Sequence, residues 1–375
     1  MLKRITHLRR DERGMSFVFI GMGFMSFMAA TTLAIDVGML MTARTQAQTS
    51  ADAGALAGAI ALAYNSSTNL SASGPAVQGT VNASLGNQVM GQDVSVSPAD
   101  VTFLPDPVTG ATTRVRVQVF RNTARGNPVS TMIGQIFGVN TADVDATAIA
   151  EAVPANASNC VRPFAIPDKW TEKQTPTWDP TDSFNAAFLP PTFSPDIYKS
   201  VTDAGYTGYK KTNVGLQLTL MPSAGNVQAS QYYALNVPGG GSYQDNLQSC
   251  SGTKVQIGDT IAAQPLNNAQ TFSGLNALIA QDPGAYWDAS SSRVVSSMNP
   301  SPRIVTVPVY DPALYDQGLL AGNPQIRVGD LIGFFIQSVA ANGAINGRIV
   351  PTSGLVQGAA PVTTQAFPRT VRLVG

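Results

Sequence analysis

The side chains able to do chemistry are few, and their placement excludes most of it. The sole histidine, His7, falls within the first thirteen residues. Everything beyond therefore lacks the imidazole of a Ser-His-Asp or Cys-His site and of a His-containing metal cluster. Two cysteines, Cys160 and Cys250, cannot make a four-thiolate zinc site, and no Gly-x-x-x-x-Gly-Lys phosphate cradle occurs. Asp288-Ala-Ser-Ser-Ser292 fits Asp-x-Ser-x-Ser, in which a carboxylate and hydroxyls can hold a divalent cation. The residues before it, 281–287, read as a turn rather than a buried strand, so a solvated loop is expected there. No catalytic, cofactor-binding or metal-ligating residue is assigned, and no enzyme activity is expected.

The elements that position the remaining singular residues begin at Gly14. About twenty uncharged residues, Gly14 through Ile35, include Phe17, Ile20, Phe24, Phe27 and Leu33. As a helix they rise roughly 30 Å, the thickness of a bilayer's hydrocarbon core, and these side chains would form a membrane anchor. Lys3, Arg4, Arg9, Arg10 and Arg13 precede the run, and only Arg44 is basic in the fifty residues after Ile35. That imbalance places the N-terminus in the cytoplasm and the body outside it. The run exceeds a signal-peptide core and continues without Pro into helix-forming sequence, so one continuous, retained helix is expected. Asp36 ends the apolar run. It either marks the membrane exit or pairs with a partner's cation or N-terminal amine.

Beyond Asp36, Ala43, Ala47, Ala51, Ala55 and Ala59 recur every four residues, and Gly54 and Gly58 form a second small pair. Such a ridge suits close helix packing, against a neighbouring membrane helix or against the chain's own sheet. Arg13-Gly14, then Asp36-Val37-Gly38, then Ala51-Asp52-Ala53 resemble the N-terminal segment of TadE/TadG-like proteins of the bacterial Flp (tight adherence, Tad) pilus system. Cys160-Val-Arg-Pro-Phe-Ala-Ile-Pro-Asp-Lys-Trp170 is similar to a Cys…Pro…Pro-Asp-x-Trp run that follows that segment in many TadG-like proteins. The resemblance implies a component of pilus assembly or presentation. Its implied partners are the inner membrane and other Flp/Tad assembly proteins or pseudopilins, and a homo-oligomer is compatible with it. Counting from Met15, Phe19 stands where prepilins carry Glu, so the resemblance does not extend to prepilin processing. Some longer TadG-like proteins carry a metal-dependent adhesion site of the von Willebrand A type. An extracytoplasmic adhesin or ligand-binding protein sharing only the anchor is therefore the competing reading.

The chain has 375 residues, 12% of them charged, with 23 basic balancing 23 acidic. With no basic cluster beyond residue 13, a nucleic-acid partner is not expected. Gly (34) and Pro (25) point to turn-rich, β-leaning structure. The expected fold class is α+β. A long N-terminal membrane-spanning helix packs on a small pilin-like α+β module, followed by a β-rich extracytoplasmic domain. The expected divisions are a basic tail (1–13), the helix (14–64), the small module (65–153) and the β-rich domain (154–375).

Within the module, Val77, Val81, Leu85 and Val89 mark a short helix, and residues 93–103, 112–122 and 144–153 mark strands. Asn127 and Pro128 read as the cap and first turn of a helix over 128–137. In the β-rich domain, residues 232–237, 254–261, 303–310 and 325–337 read as strands. Val255-Gln-Ile-Gly-Asp-Thr-Ile261 and Ile326-Arg-Val-Gly-Asp-Leu-Ile332 echo each other as strands with bulges. Cys160 and Cys250 both fall on the non-cytoplasmic side, where a disulfide persists; two buried thiols are the alternative.

Overall fold

The computed structural model describes residues 13–64, 69–107, 110–175, 177–187, 194–239, 241–298, 300–322, 324–356 and 367–374. His7 and the rest of the basic tail before Arg13 lie outside the described residues. Helix α1 runs unbroken from Arg13 to Tyr64. Its two halves meet different surroundings. From Gly14 to Ile35 its described side chains are exposed, whereas Ala43, Ala47, Ala51, Ala55 and Ala59 are fully buried. Residues Asp36 to Leu40 mark the crossover, and Met39 and Leu40 are half-buried.

The buried half of α1 lies between helix α2 (Pro75–Leu85) and an antiparallel sheet of β1 (Val101–Pro105), β2 (Thr112–Arg121) and β3 (Val144–Pro154). Strand alternation aims Val115, Val117 and Val119 of β2, with Ala148 and Ala150 of β3, into that core. Helix α2 buries Ala76, Val77, Thr80 and Ser84, and Gly54 and Gly58 admit it. A Cβ on Gly54 would stand 2.0 Å from Ser84 Oγ; one on Gly58 would stand 2.1 Å from Thr80 Oγ1.

Three local expectations fail here. Helix α2 ends at Leu85 and does not reach Val89, because Gln88–Val89 pairs with Gln92–Asp93 as a hairpin. Residues 93–103 are not one strand, because a 3-10 turn at Pro98–Asp100, closed by the Ser97–Asp100 side-chain pair, precedes β1. No helix forms over 128–137. Asn127 instead turns its side-chain oxygen to the Asn122 amide (3.3 Å), and Val129–Ser130 pairs with Thr141–Ala142. Only Gly134–Phe137 coils, as a 3-10 turn.

The following chain builds a six-stranded barrel from β4 (Phe164–Pro167), β5 (Gln217–Pro222), β6 (Gln231–Ala234), β7 (Ile304–Tyr310), β8 (Ile326–Val339) and β9 (Ile345–Val350). The order is β8-β7-β4-β6-β5-β9, and β9 pairs back onto β8. Closure leaves no free edge between these strands. Phe164, Leu218, Tyr232, Val307, Phe334 and Ile349 share the main core. The two echoing segments are neighbours rather than equivalents. Gly258 makes a left-handed turn (φ +95°), while Gly329-Asp330 lies inside β8, and Thr260 and Ile261 pair with Arg327 and Ile326.

Two short strands then leave the barrel. Strand β10 (Thr352–Ser353) pairs with β11 (Pro368–Leu373), and β11 pairs antiparallel with β3. A clean division at residue 154 is thus not what the strands show, since the C-terminal strand completes the first sheet. Glu151 of β3 holds it there. Its buried carboxylate accepts from Arg114 Nε of β2 and Arg372 Nε of β11, both at 2.8 Å. Cys160 and Cys250 are disulfide-bonded, closing a separation of 90 residues. On the chain-entropy model such a loop contributes roughly 4–5 kcal/mol. Arg162, buried beside it, donates to the Asn246 and Ser249 carbonyls and fixes the same segment.

Gly58→Leu is expected to lower stability by about 1–3 kcal/mol or more, because the added atoms meet Thr80 and Val115. Ile60→Ala, on the exposed side of the same helix, should stay within about 0.5 kcal/mol. Thermal unfolding of the full chain in detergent compares them, and equal midpoints would contradict this packing.

Candidate functional site

The exposed half of α1 is apolar all round. Phe17 is 81% exposed and Phe27 70%, with Ile20, Phe24 and Leu33 similarly uncovered. Two of its hydroxyls are satisfied inside the helix: Ser26 donates to Met22 O and Thr31 to Phe27 O, both at 2.9 Å. That leaves no unmet side-chain donor at these positions for an apolar solvent to penalise. The helix is long and apolar enough to cross a membrane.

At its end stands Asp36, only 8% exposed. Its carboxylate accepts three backbone amides from one loop: Met132 (2.9 Å to Oδ1), Ile133 (3.2 Å to Oδ1) and Gly134 (2.6 Å to Oδ2). Charge-assisted bonds to successive amides are among the stronger polar contacts in a protein. Gly134 has no Cβ, and one there would stand 3.1 Å from Asp36 Oδ2 and 2.9 Å from Val139 O. The carboxylate thus ties the helix to the folded body, across almost a hundred residues of sequence.

A second polar cluster, which the sequence reading did not assemble, lies in the barrel unit. Asp168, following β4, and Asp330, within β8, are both fully buried. Tyr206 Oη lies 3.1 Å from an oxygen of each. A phenol has one proton to give, so one carboxyl must supply the other. Asp168 already accepts from the Lys169 and Tyr209 amides and from Tyr198 Oη, which stabilise its anion. Asp330 accepts from the Leu331 amide besides meeting Tyr206, and although Arg369 favours its anion, burial and the nearby Asp168 charge outweigh that, so the proton belongs there. Burial pushes Asp168 up to about 6, against the pull of those hydrogen bonds, and raises Asp330 well above its ordinary range. Gly208 makes the cluster sterically possible, since a Cβ there would fall 2.3 Å from Asp168 Oδ2. The signals were present in Pro167-Asp168-Lys-Trp170 and Gly329-Asp330, but nothing in either predicts the other. Sealed from solvent, the pair joins three segments of the chain.

Residues 14–61 match the model of the Flp pilus-assembly TadE/G-like family. That match lies within helix α1 and covers less than half of the chain. No curated protein and no solved structure matches the chain.

Within the TadE/G-like segment, the small-residue face is occupied by this chain itself. Ala47, Ala51 and Ala55 are fully buried, and Gly54 and Gly58 lie against α2. Of the two uses expected of this ridge, the structure shows the internal one: the sheet and helix α2, rather than a neighbouring membrane helix, fill the approach that small side chains permit. Asp36 is likewise engaged by the chain's own amides rather than left for a partner's cation. Asp288 closes a hairpin between Tyr286–Asp288 and Arg293–Val295, accepting from Ser290 and Ser291. Those bonds, led by the Ser291 hydroxyl, lower its pKa to about 2. Among the described residues, no group of three or more His, Cys, Asp or Glu is placed to hold a metal ion.

Asp36→Ala should release the loop, so that the amides of residues 132–134 exchange with solvent roughly ten- to a hundredfold faster. Hydrogen exchange read by mass spectrometry tests this, with the strand over 326–339 as unchanged reference. Equal protection in both proteins would refute the clamp.

The acid pair gives a pH dependence of definite sign. Both folded-state pKa values are raised, so the folded protein holds protons that the unfolded chain has released. Stability from this source is present below about pH 4 and falls as pH rises through about 6, by at most roughly 3 kcal/mol for Asp168. Asp196, pushed up to about 6 chiefly by burial, adds the same sign. The thermal midpoint should therefore rise between about pH 7 and pH 5, and Asp330→Asn should shrink that rise. A midpoint that falls over this window would exclude the protonated pair.

Proposed function

We propose that this protein is a single-pass, inner-membrane-anchored component for assembly or surface presentation of a Flp/Tad pilus. It acts without catalysis, with its N-terminus cytoplasmic and its body outside the cytoplasm. The observation that carries the reading is the coincidence of the TadE/G-like match, residues 14–61, with a helix whose first half is exposed and apolar and whose second half is core. The basic residues before Gly14 and the disulfide favour this orientation. Because the ridge is filled internally, partners from the pilus machinery, pseudopilins or a second copy would meet the lipid-facing side of the anchor or the outside of the barrel.

Photo-crosslinking residues at Phe24 and Phe27, in membranes of a piliated cell, should capture Flp/Tad membrane proteins. Deleting the gene should remove pili, and the full chain should restore them where a chain lacking residues 14–35 does not. Normal piliation after deletion, with no Flp/Tad protein captured, would refute the proposal.

A further inference from the structure

The loop that Asp36 holds has a surface unlike the rest of the body. Met132 is 70% exposed, Ile136 78%, Phe137 64% and Val139 55%. No charged residue occurs between Arg125 and Asp143. Four large apolar side chains on so short a segment need a partner surface.

Its backbone is also unusually self-sufficient. Asp36 takes the amides of Met132, Ile133 and Gly134. Thr131 N donates to Asn140 O, Ile136 N to Ile133 O, Gly138 N to Gln135 O and Val139 N to Gly134 O. The Thr131 hydroxyl reaches Val139 O, and the Gln135 amide group reaches Thr131 O at 2.7 Å. Closing these groups internally is what irregular backbone requires where water is scarce.

Position identifies the surface. The loop is fixed to the residue at which the exposed apolar half of α1 ends. Strand β3 leads away from it: Gln48, about 18 Å further along the helix, donates to Thr147 O. The loop is thus the part of the body beside the helix exit, and like Leu33, Ile35 and Val37 it carries exposed apolar side chains.

We propose that residues 132–139 dip into the non-cytoplasmic leaflet beside the anchor, so that the body is seated on the bilayer at a second point. This rests on the membrane-anchor reading above. The occupant is the headgroup–acyl boundary of phospholipid, where amphipathic elements bury apolar side chains about 5–10 Å deep. Asp36 then works as a buried clasp, keeping its charge satisfied while its loop enters the interface.

The test uses the full chain, whose two native cysteines are tied in the disulfide and leave an introduced thiol as the labelled site. Phe137→Cys and Val139→Cys, each carrying an environment-sensitive fluorophore, are reconstituted in phosphatidylethanolamine–phosphatidylglycerol vesicles. Nitroxide lipids quench either near the headgroup or deep in the acyl chain. Phe27→Cys reports the span, and Leu320→Cys, exposed on the barrel unit, reports water. The expected result is loss of emission at 137 and 139 with the shallow nitroxide, deep quenching at 27 and none at 320. Quenching at 27 with none at 137 and 139 overturns the seat and leaves the anchor standing. A blue-shifted but unquenched 137 also overturns it, assigning the loop to a second copy of the chain. No quenching at 27 removes the anchor reading and the seat with it.

Discussion

How closely one helix can lie against a sheet is the constraint on which this architecture depends. Alanine at every fourth position of α1 faces Ala148, Ala150 and the three valines of β2, and no exposed surface remains on the ridge. On the adjoining face, glycine at 54 and 58 lets α2 approach until a single methyl would collide. Helix α1 is therefore not an anchor attached to a finished domain. Its second half supplies one layer of the core, so a cut that removed the whole helix, through Tyr64, would strip that layer from the body, whereas a cut before Asp36 would leave it in place.

What the sequence disclosed follows from where the causes are local. The continuous helix, strands β2 and β3, and the barrel strands over 304–310 and 326–339 each carry their periodicity within their own residues. The disulfide was legible because the chain has only two thiols. The ridge announced that something comes close, but small residues do not encode what. Asp36 shows the same limit: a carboxylate at a helix exit reads as a boundary, and its three amides lie nearly a hundred residues away. At 128–137 the local cap signal was overridden, since Asn127 and three of the amides found tertiary partners.

Three buried ionic devices link the units that local patterning builds. Glu151 binds arginines from the strands on both sides, and so recruits the C-terminal strand into the first sheet. Asp168 and Asp330 share Tyr206 and join β8 to the segment after β4. Arg303, buried, donates to the carbonyls of Ile336 and Gln337 in β8 and to those of Asp282 and Ala285 in the loop before the hairpin. Desolvating such groups is expensive, so their net stabilisation is modest; losing one partner is the costly event. They act as fixed points that make one arrangement of otherwise apolar layers much better than its alternatives.

An unbroken helix also sets what the body can sense. From Asp36 to Tyr64 α1 rises about 42 Å with no Pro and no break. A flexible linker at the membrane would average away any tilt of the anchor. Here the helix is clamped at its exit by Asp36 and sheathed by α2 and the sheet, so the core must follow it. With the apolar half spanning a bilayer as proposed, tilting it by about 10° would carry the far end of the helix roughly 7 Å sideways, by the rise alone. A neighbour that changes the tilt of the TadE/G-like helix would therefore reorient the whole module without touching it.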